Sequence, residues 1–314
     1  MADVTIVGDV NVDIITSPIE KYPKEDSQVI LPYVYLVPGG CACNTAIECA
    51  NLGVKTRLIG KVGNDLFSEF LKKILKKYGV DARIKIEEEK NTGITYAVNF
   101  KNMTRSMFTY RGTNELLSIK DFNTEDIKGK ILLVTGFNLL NRLRKDVKTL
   151  FVYARNRRMK TFLDPNWDPE GWPENRLNDI LELLKYTDFF FPSLEEGKAI
   201  FKTEADRLIV KKIMYLGTKG VCLKLHEKGC LLGKKDTIKL IDGFAVDSKN
   251  TTGAGDIFLA GFIKGYLSDW SIEDTVRFAN AAGALSTKKI GMGKYPTFEE
   301  IIDFLESRGV EVGK

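Results

Sequence analysis

The heptapeptide NTTGAGD, Asn250 to Asp256, runs straight into the apolar stretch IFLAGFIKGYL. Glycine at 253 and 255, with alanine between, lets successive backbone N–H groups point into one small volume, and the helix that follows adds its positive end. Such a cradle suits an anion, a phosphoryl group above all. Asp256 at the same place is also an ordinary helix-start residue, but a carboxylate beside a phosphate site repels it. It has a chemical use there if an attacking hydroxyl must lose a proton. With a reference pKa of about 3.9 it is ionised near neutrality and able to serve as a general base.

A second glycine site is PGGCACNTAIECANLG, Pro38 to Gly53. Gly39 and Gly40 permit close backbone approach, and Asn44 carries a donor and an acceptor in one side chain, suited to neighbouring hydroxyls. Taken alone, the same residues describe a plain loop-to-helix turn with an asparagine cap.

The elements around these sites follow from periodicity. Val4–Val7 is a short buried strand ending at Gly8-Asp9, residues 44–52 read as a helix, 57–62 as a strand and 65–78 as an amphipathic helix stopped by Gly79. Strands recur at 131–134, 161–163 and 188–191, separated by helical stretches at 144–157 and 174–184. The alternation predicts an α/β fold with a mostly parallel sheet covered on both faces. Ser27–Val37, Gly93–Phe100 and Thr104–Tyr110 break that rhythm and read as strands of a small β-sheet projecting from the main layer.

Composition narrows the function classes. The 314 residues are 44% hydrophobic and 28% charged, enough for one large core. The net charge of +5 is spread over basic pairs at 157–158, 211–212, 234–235 and 288–289, without a nucleic-acid-binding motif, so no nucleic-acid partner is expected. Five cysteines and a single histidine, His226, supply neither a disulfide framework nor a four-ligand metal site around Cys41-x-Cys43. No apolar run approaches the roughly 18 to 20 residues of a bilayer span, and an acid stands where a signal peptide needs basic residues. A cytoplasmic location, away from membranes, is expected.

Together the two glycine sites resemble the two signatures of the ribokinase-like, or pfkB, family of carbohydrate kinases: Gly39, Gly40, Ala42, Asn44, Ala46, Gly53 and Gly63 in the first, and Thr251, Gly253, Ala254, Gly255, Asp256, Ala260 and Gly261 in the second. The resemblance implies a three-layer α/β/α kinase domain over residues 1–314, with a β-lid formed from about 12–37 and 92–113. It implies ATP-dependent phosphorylation of a hydroxymethyl group of a small sugar, with Asp256 as base and the N–H groups of Gly253, Ala254 and Gly255 as anion hole. It assigns sugar contacts to Asn11, Asp13, Gly39, Gly40 and Asn44, the nucleotide phosphates to Gly217, Thr218 and Gly220, and the adenine border to Asn280. Glu196 would act through water on the ATP-borne Mg2+. Two departures stand out: Ser193 replaces an asparagine, and Asn250 replaces an aspartate that helps form a monovalent-cation site, leaving activation by such a cation open.

The acceptor stays open as well. The segment RSMFTYRGTNELL resembles lid strands of fructokinase-like and keto-sugar-acid kinases, where a Tyr-Arg pair faces the substrate; Arg111 would then meet a carboxylate or phosphate, the alternative being an exposed lid arginine. LDPNWDPEGW resembles the D-x-N-x-R stretch of those relatives, but Asp168 replaces the arginine, which weakens a 2-keto-3-deoxygluconate-type reading. A nucleoside hydroxyl is a further alternative, and a catalytically silent sugar-binding protein on the same scaffold another. GDVNVD after the first strand is not a dinucleotide fingerprint, which excludes the dehydrogenase reading. The resemblance also implies a homodimer that pairs lid strands.

Overall fold

The structure, a computed structural model, describes residues 2–102, 104–291 and 295–313. Strand β1 (Val4–Gly8) is followed by β2 (Asn11–Thr16) and β3 (Val34–Gly39), helix α1 (Cys41–Asn51), β4 (Thr56–Gly63), α2 (Leu66–Lys77), β5 (Asp81–Glu87), β6 (Gly93–Asn99) and β7 (Arg105–Tyr110). Then come β8 (Ile131–Thr135), α3 (Val147–Asn156), β9 (Lys160–Leu163), α4 (Glu174–Leu184), β10 (Phe189–Phe190), α5 (Leu194–Phe201) and α6 (Asp206–Tyr215). The chain ends with β11 (Gly220–Lys224), β12 (Gly229–Lys234), β13 (Thr237–Asp242), α7 (Ala254–Leu267), α8 (Ile272–Ser286) and α9 (Phe298–Glu306).

Among the described residues the large sheet has the order β13-β12-β11-β10-β9-β8-β1-β4-β5. It is parallel from β11 to β5, and β12 and β13 add an antiparallel edge. Its central strands are apolar on both sides because both faces are covered. In β8, Ile131 and Leu133 join a core with α1, α2, α7, α8 and α9, while Leu132 and Val134 join the opposite core with α3, α4, α5 and α6. One strand therefore feeds two cores through the two-residue period of its side chains, which is the three-layer arrangement.

The second sheet has the order β3-β2-β6-β7. The parallel pair β2 and β6 joins its two chain segments. Two sequence expectations shift here. In Ser27–Val37 only the end is strand, β3 running Val34–Gly39, while Val29 and Ile30 remain exposed outside the sheets. Asn11–Thr16, which the sequence places at the start of the lid excursion without a strand of its own, forms a central strand of this sheet. No helix among the described residues is long and apolar enough to cross a membrane.

Candidate active site

The site lies where the parallel strands end. Helix α7 begins there, with Gly253 as N-cap in the left-handed region at φ 81°, a conformation that disfavours side chains. The helix is apolar nearly all round because it is buried between neighbours: a Cβ at Gly261 would come within 3.0 Å of Ala279 in α8, and one at Gly265 within 3.0 Å of Thr275. Close packing of small residues thus fixes the axis of α7 and the direction of its N-terminus. The first-turn N–H groups, Gly255 and Asp256 among them, have no carbonyl one turn back by helix geometry. Ala254 differs from expectation, since its N–H donates to Thr251 O at 3.2 Å and closes the turn instead of facing the cleft.

Asp256 is buried, and its Oδ2 accepts a hydrogen bond from Asn44 Nδ2 at 3.0 Å. Asn44 Oδ1 accepts from the Tyr295 hydroxyl at 2.7 Å. Thr45 Oγ1 donates to Asp256 O at 3.3 Å, which ties α1 to α7 at the same point. The two glycine motifs, some two hundred residues apart in sequence, therefore meet through one carboxylate–amide contact. Asn44, expected to grip a sugar hydroxyl, also orients Asp256, and one N–H and one lone pair of its amide remain beyond these two bonds.

Gly40 is the N-cap of α1 at φ 86°, and a Cβ there would approach Asp9 O to 2.6 Å. A Cβ on Gly39 would come within 1.9 Å of Asp13 Oδ1, so the absence of a side chain at 39 is what lets the buried Asp13 carboxylate lie against the strand. Asn11 is buried and its Oδ1 accepts from Asn114 Nδ2. Asn11, Asp13, Gly39 and Gly40 are thus gathered on one side of the small sheet, beside the start of α1.

Three charged groups that sequence reasoning missed form the floor. Lys224 ends β11, and its Nζ donates to Asp164 Oδ1 at 2.9 Å; Asp164 Oδ2 accepts from Thr135 Oγ1 at 2.9 Å. Nζ lies 3.5 Å from where a Cβ on Gly255 would stand, against the cradle itself. Burial alone would push Lys224 down, but the carboxylates of Asp164, Glu196 and Asp256 outweigh it and raise its pKa, so the ammonium stays charged. Asp9, just beyond β1, accepts from the Cys41 N–H at the start of α1 at 3.0 Å, and burial pushes its carboxyl up to about 6. Each of these charges directly follows or ends a buried apolar strand, and that is the sequence signal that could have found them.

Glu196 lies on this floor too, buried and within electrostatic reach of Lys224 and Asp164. Ser193 and Glu196 form a capping box on α5: Ser193 N–H donates to Glu196 Oε2 at 2.7 Å, and Glu196 N–H to Ser193 Oγ at 3.2 Å. Serine at 193 therefore has a structural use as a helix cap. Burial pushes the Glu196 carboxyl up to about 6, against the lowering influence of Lys224.

Gly217, Thr218 and Gly220 are not brought to the site. Gly217 and Thr218 precede β11 and Gly220 is its first residue, at the N-terminal ends of the parallel strands. Thr218 Oγ1 donates to Leu184 O at 3.0 Å, and Lys219 pairs with Asp188, which lies just before β10. Four residue steps of about 3.3 Å separate Gly220 from Lys224 along β11. The loop at the correct end is Leu225–Gly229, where His226 at φ 56° and Gly229 at φ 97° both adopt the left-handed region. Asn280 is buried, and its Nδ2 donates to Ile241 O and Asp242 O, each at 3.0 Å, so its amide fastens α8 to the end of β13. From the lid, Arg105 donates to Thr252 Oγ1 in the cradle loop. Arg111 lies at the far wall, donating Nη1 to Asn141 Oδ1 at 3.2 Å.

A doubly covered parallel sheet, with buried carboxylates, a bare helix start and the buried ammonium of Lys224 at its C-terminal edge, is an arrangement of the ribokinase fold class. The model of the pfkB family of carbohydrate kinases matches residues 1–297, and the chain belongs to that family: it is a sugar kinase. It is 27% identical to the ribokinase of Haemophilus influenzae over 96% of this chain and 98% of that one. It is 30% identical to the 2-dehydro-3-deoxygluconokinase of Bacillus subtilis over 86% of each chain. Its fold is similar to that of an E. coli protein named as a ribokinase II, in complex with ATP and Mg2+, at TM-score 0.87 and 22% identity, covering 98% of this chain and 100% of that one.

Proposed function

We propose that the protein transfers the terminal phosphoryl group of ATP to a hydroxymethyl group of a small sugar. Asp256 takes the proton from the acceptor hydroxyl. The start of α7, with the N–H groups of Gly255 and Asp256, stabilises charge on the transferred group, and Lys224 neutralises it from the floor. The observation that carries this reading is the Asn44–Asp256 contact, because it fixes the base at the mouth of the cradle and within the cleft that the first glycine pair borders.

The nucleotide phosphates pass over the end of β11 and the loop Leu225–Gly229, on the same edge as Lys224, and Asn280 keeps the nearby end of β13 in place. Mg2+ arrives with the nucleotide. No group of three or more acidic, cysteine or histidine side chains that could hold a metal occurs among the described residues, and the carboxylate set of Glu196 and Asp164 beside Lys224 fits an ion held chiefly by phosphates and water. Glu196 would hold such a water by accepting its hydrogen bond, and the ion would supply charge neutralisation to the phosphates.

The lid pairs with a second copy. Its register puts Leu36, Ile14, Tyr96 and Phe108 on one rung of the face opposite Asp13, and Leu36, Tyr96 and Phe108 are exposed. An apolar rung on the open face of a four-stranded sheet is suited to burial against its like.

ADP formation measured by a coupled assay across neutral sugars, sugar acids and nucleosides tests the reading. Acceptor-dependent ADP release is expected. No release with any of the three classes would end the kinase assignment for this chain.

A further inference from the structure

Helix α1 carries a polar stripe that meets the far end of the chain. Asn44, Glu48 and Asn51 stand four and then three residues apart, the spacing that puts side chains on one helix face. Asn51 Nδ2 donates to Pro296 O at 3.0 Å and to Tyr295 O at 3.5 Å, and Glu48 Oε2 accepts from the same nitrogen at 3.4 Å. The backbone between α8 and α9 is thereby pinned to α1. The ring of Tyr295 is buried, with Tyr78 edge-on against it at a centroid distance of 5.8 Å, so its hydroxyl has one defined position.

That position faces the base through Asn44. The Tyr295 hydroxyl lies 2.7 Å from Asn44 Oδ1, and Asn44 Nδ2 lies 3.0 Å from Asp256 Oδ2. An ionised carboxylate only accepts, so the amide must turn its N–H groups to Asp256 and its oxygen to Tyr295, and the tyrosine must donate. Burial, then Cys43, Asp256 and Glu48, push the Tyr295 hydroxyl well above its usual range, which keeps it a donor. The three groups form a chain with one direction, O–H to C=O and N–H to carboxylate. A donor on the amide oxygen polarises the amide and strengthens the N–H at its other end. Phenylalanine would fill the space of the ring, but the hydroxyl is what reaches the amide. No motif in the sequence points to Tyr295.

We propose that Tyr295 is a positioning residue for phosphoryl transfer: through Asn44 it fixes the direction in which Asp256 faces the acceptor hydroxyl. The same lock holds the remaining N–H and lone pair of the Asn44 amide in one orientation for the acceptor. This rests on the kinase reading above. Tyr295 moves no proton and makes no covalent bond; its effect is geometric.

Tyr295→Phe keeps the ring and removes the link. Its kcat is expected to fall about 10-fold, the scale of one lost hydrogen bond that leaves a buried partner unsatisfied, with KM for ATP unchanged. Tyr295→Leu should match it in kcat and lose more thermal stability. A role in packing alone predicts the opposite pattern, with kcat kept in Tyr295→Phe. On an Asn44→Ala background, Tyr295→Phe should change kcat by less than about 2-fold, because the group through which it acts is gone. A kcat within about 2-fold of the unaltered protein in Tyr295→Phe, or a further loss of about 10-fold on the Asn44→Ala background, overturns the proposal.

If the unaltered protein releases no ADP with any acceptor class, the kinase reading has failed, and the lock is judged without turnover. The same measurement decides the matter if Asn44→Ala is too slow to assay. In protein labelled with 15N-asparagine, the side-chain amide pair that vanishes in Asn44→Ala is expected to shift and to exchange faster with solvent in Tyr295→Phe. A pair that neither shifts nor exchanges faster removes the lock.

Discussion

The two ends of the cleft are built on different plans. At the nucleotide end the chemistry sits on strand ends and two helix starts, with Asp9, Asp164, Glu196, Lys224 and Asp256 all buried or nearly so and tied to named partners. At the acceptor end the side chains come from lid strands and from the loop after β9, and many lid residues are exposed, Phe108 at 59% and Met107 at 54%. Charges fixed in a buried network cannot be altered singly without leaving a partner unsatisfied. Loop and lid residues can. The contrast shows why one reaction can be kept while the acceptor changes: the parts that perform transfer are interlocked, and those that choose the acceptor are separable.

Substitutions at the interlocked end should break the contrast most severely. Asp256→Asn is expected to lower kcat on the order of 10²- to 10⁴-fold, the usual scale of a lost general base, with a thermal midpoint close to that of the unaltered protein. Turnover near the original level would remove Asp256 from its role. Lys224→Met should fail in a second way as well, because it strands Asp164 and Glu196 without their cation. A loss of about 3 to 5 kcal/mol in urea unfolding is expected beside the fall in kcat; unchanged stability would mean that the floor is not a network.

The pH dependence sharpens the same point. Asp9 and Glu196 are both pushed up to about 6, chiefly by burial. A carboxyl whose folded pKa exceeds its unfolded value contributes stability that is fully present below the unfolded value, near 4, and is lost as pH rises through about 6. Thermal stability due to these two groups should therefore decline from about pH 4 to about pH 6, and Asp9→Asn should flatten that decline. Activity should run the opposite way: kcat/KM for ATP falls as Glu196 becomes protonated below pH about 6, and Glu196→Gln abolishes that limb. A profile flat through this range in the unaltered protein counts against Glu196.

The separable end predicts smaller effects. Phe108→Glu on the open face of the lid should convert a dimer to a monomer in light scattering and raise the acceptor KM more than the ATP KM. A monomeric unaltered protein would remove the lid-pairing proposal. The smallest effect is expected at Thr218→Ala, which forfeits one buried hydrogen bond worth about 1 kcal/mol and leaves the KM for ATP unchanged. A large rise in that KM would reinstate the sequence expectation for this loop.

That expectation failed for an instructive reason. A glycine pair beside a strand looks alike on either side of it, but in a parallel sheet the ligand edge is the carboxyl end of the strands, so Leu225–Gly229 faces the cleft and Gly217–Gly220 does not. NTTGAGD and the Gly39-Gly40 pair were legible because each packs its requirement into a few adjacent residues. The alternation of strands and helices was legible from apolar runs. The pairing of Lys224 with Asp164 was not, because each stands alone at the end of its own strand and only the sheet order brings them near. Asn44 was legible in type only: the neighbours that hold it, Asp256 and Tyr295, come from the far end of the chain, and only the fold brings them to it.

The parallel pairing of β2 with β6 carries a consequence for assembly. Those strands are separated in sequence by the whole β3–α1–β4–α2–β5 segment, and they belong to a sheet with many exposed residues. Long-range pairing of this kind forms late, and thinly covered backbone opens early. The small sheet should therefore be the last part to acquire protection from deuterium during refolding and the first to lose it in native exchange, so that the protein can mature its transfer machinery before it has anything with which to enclose a sugar.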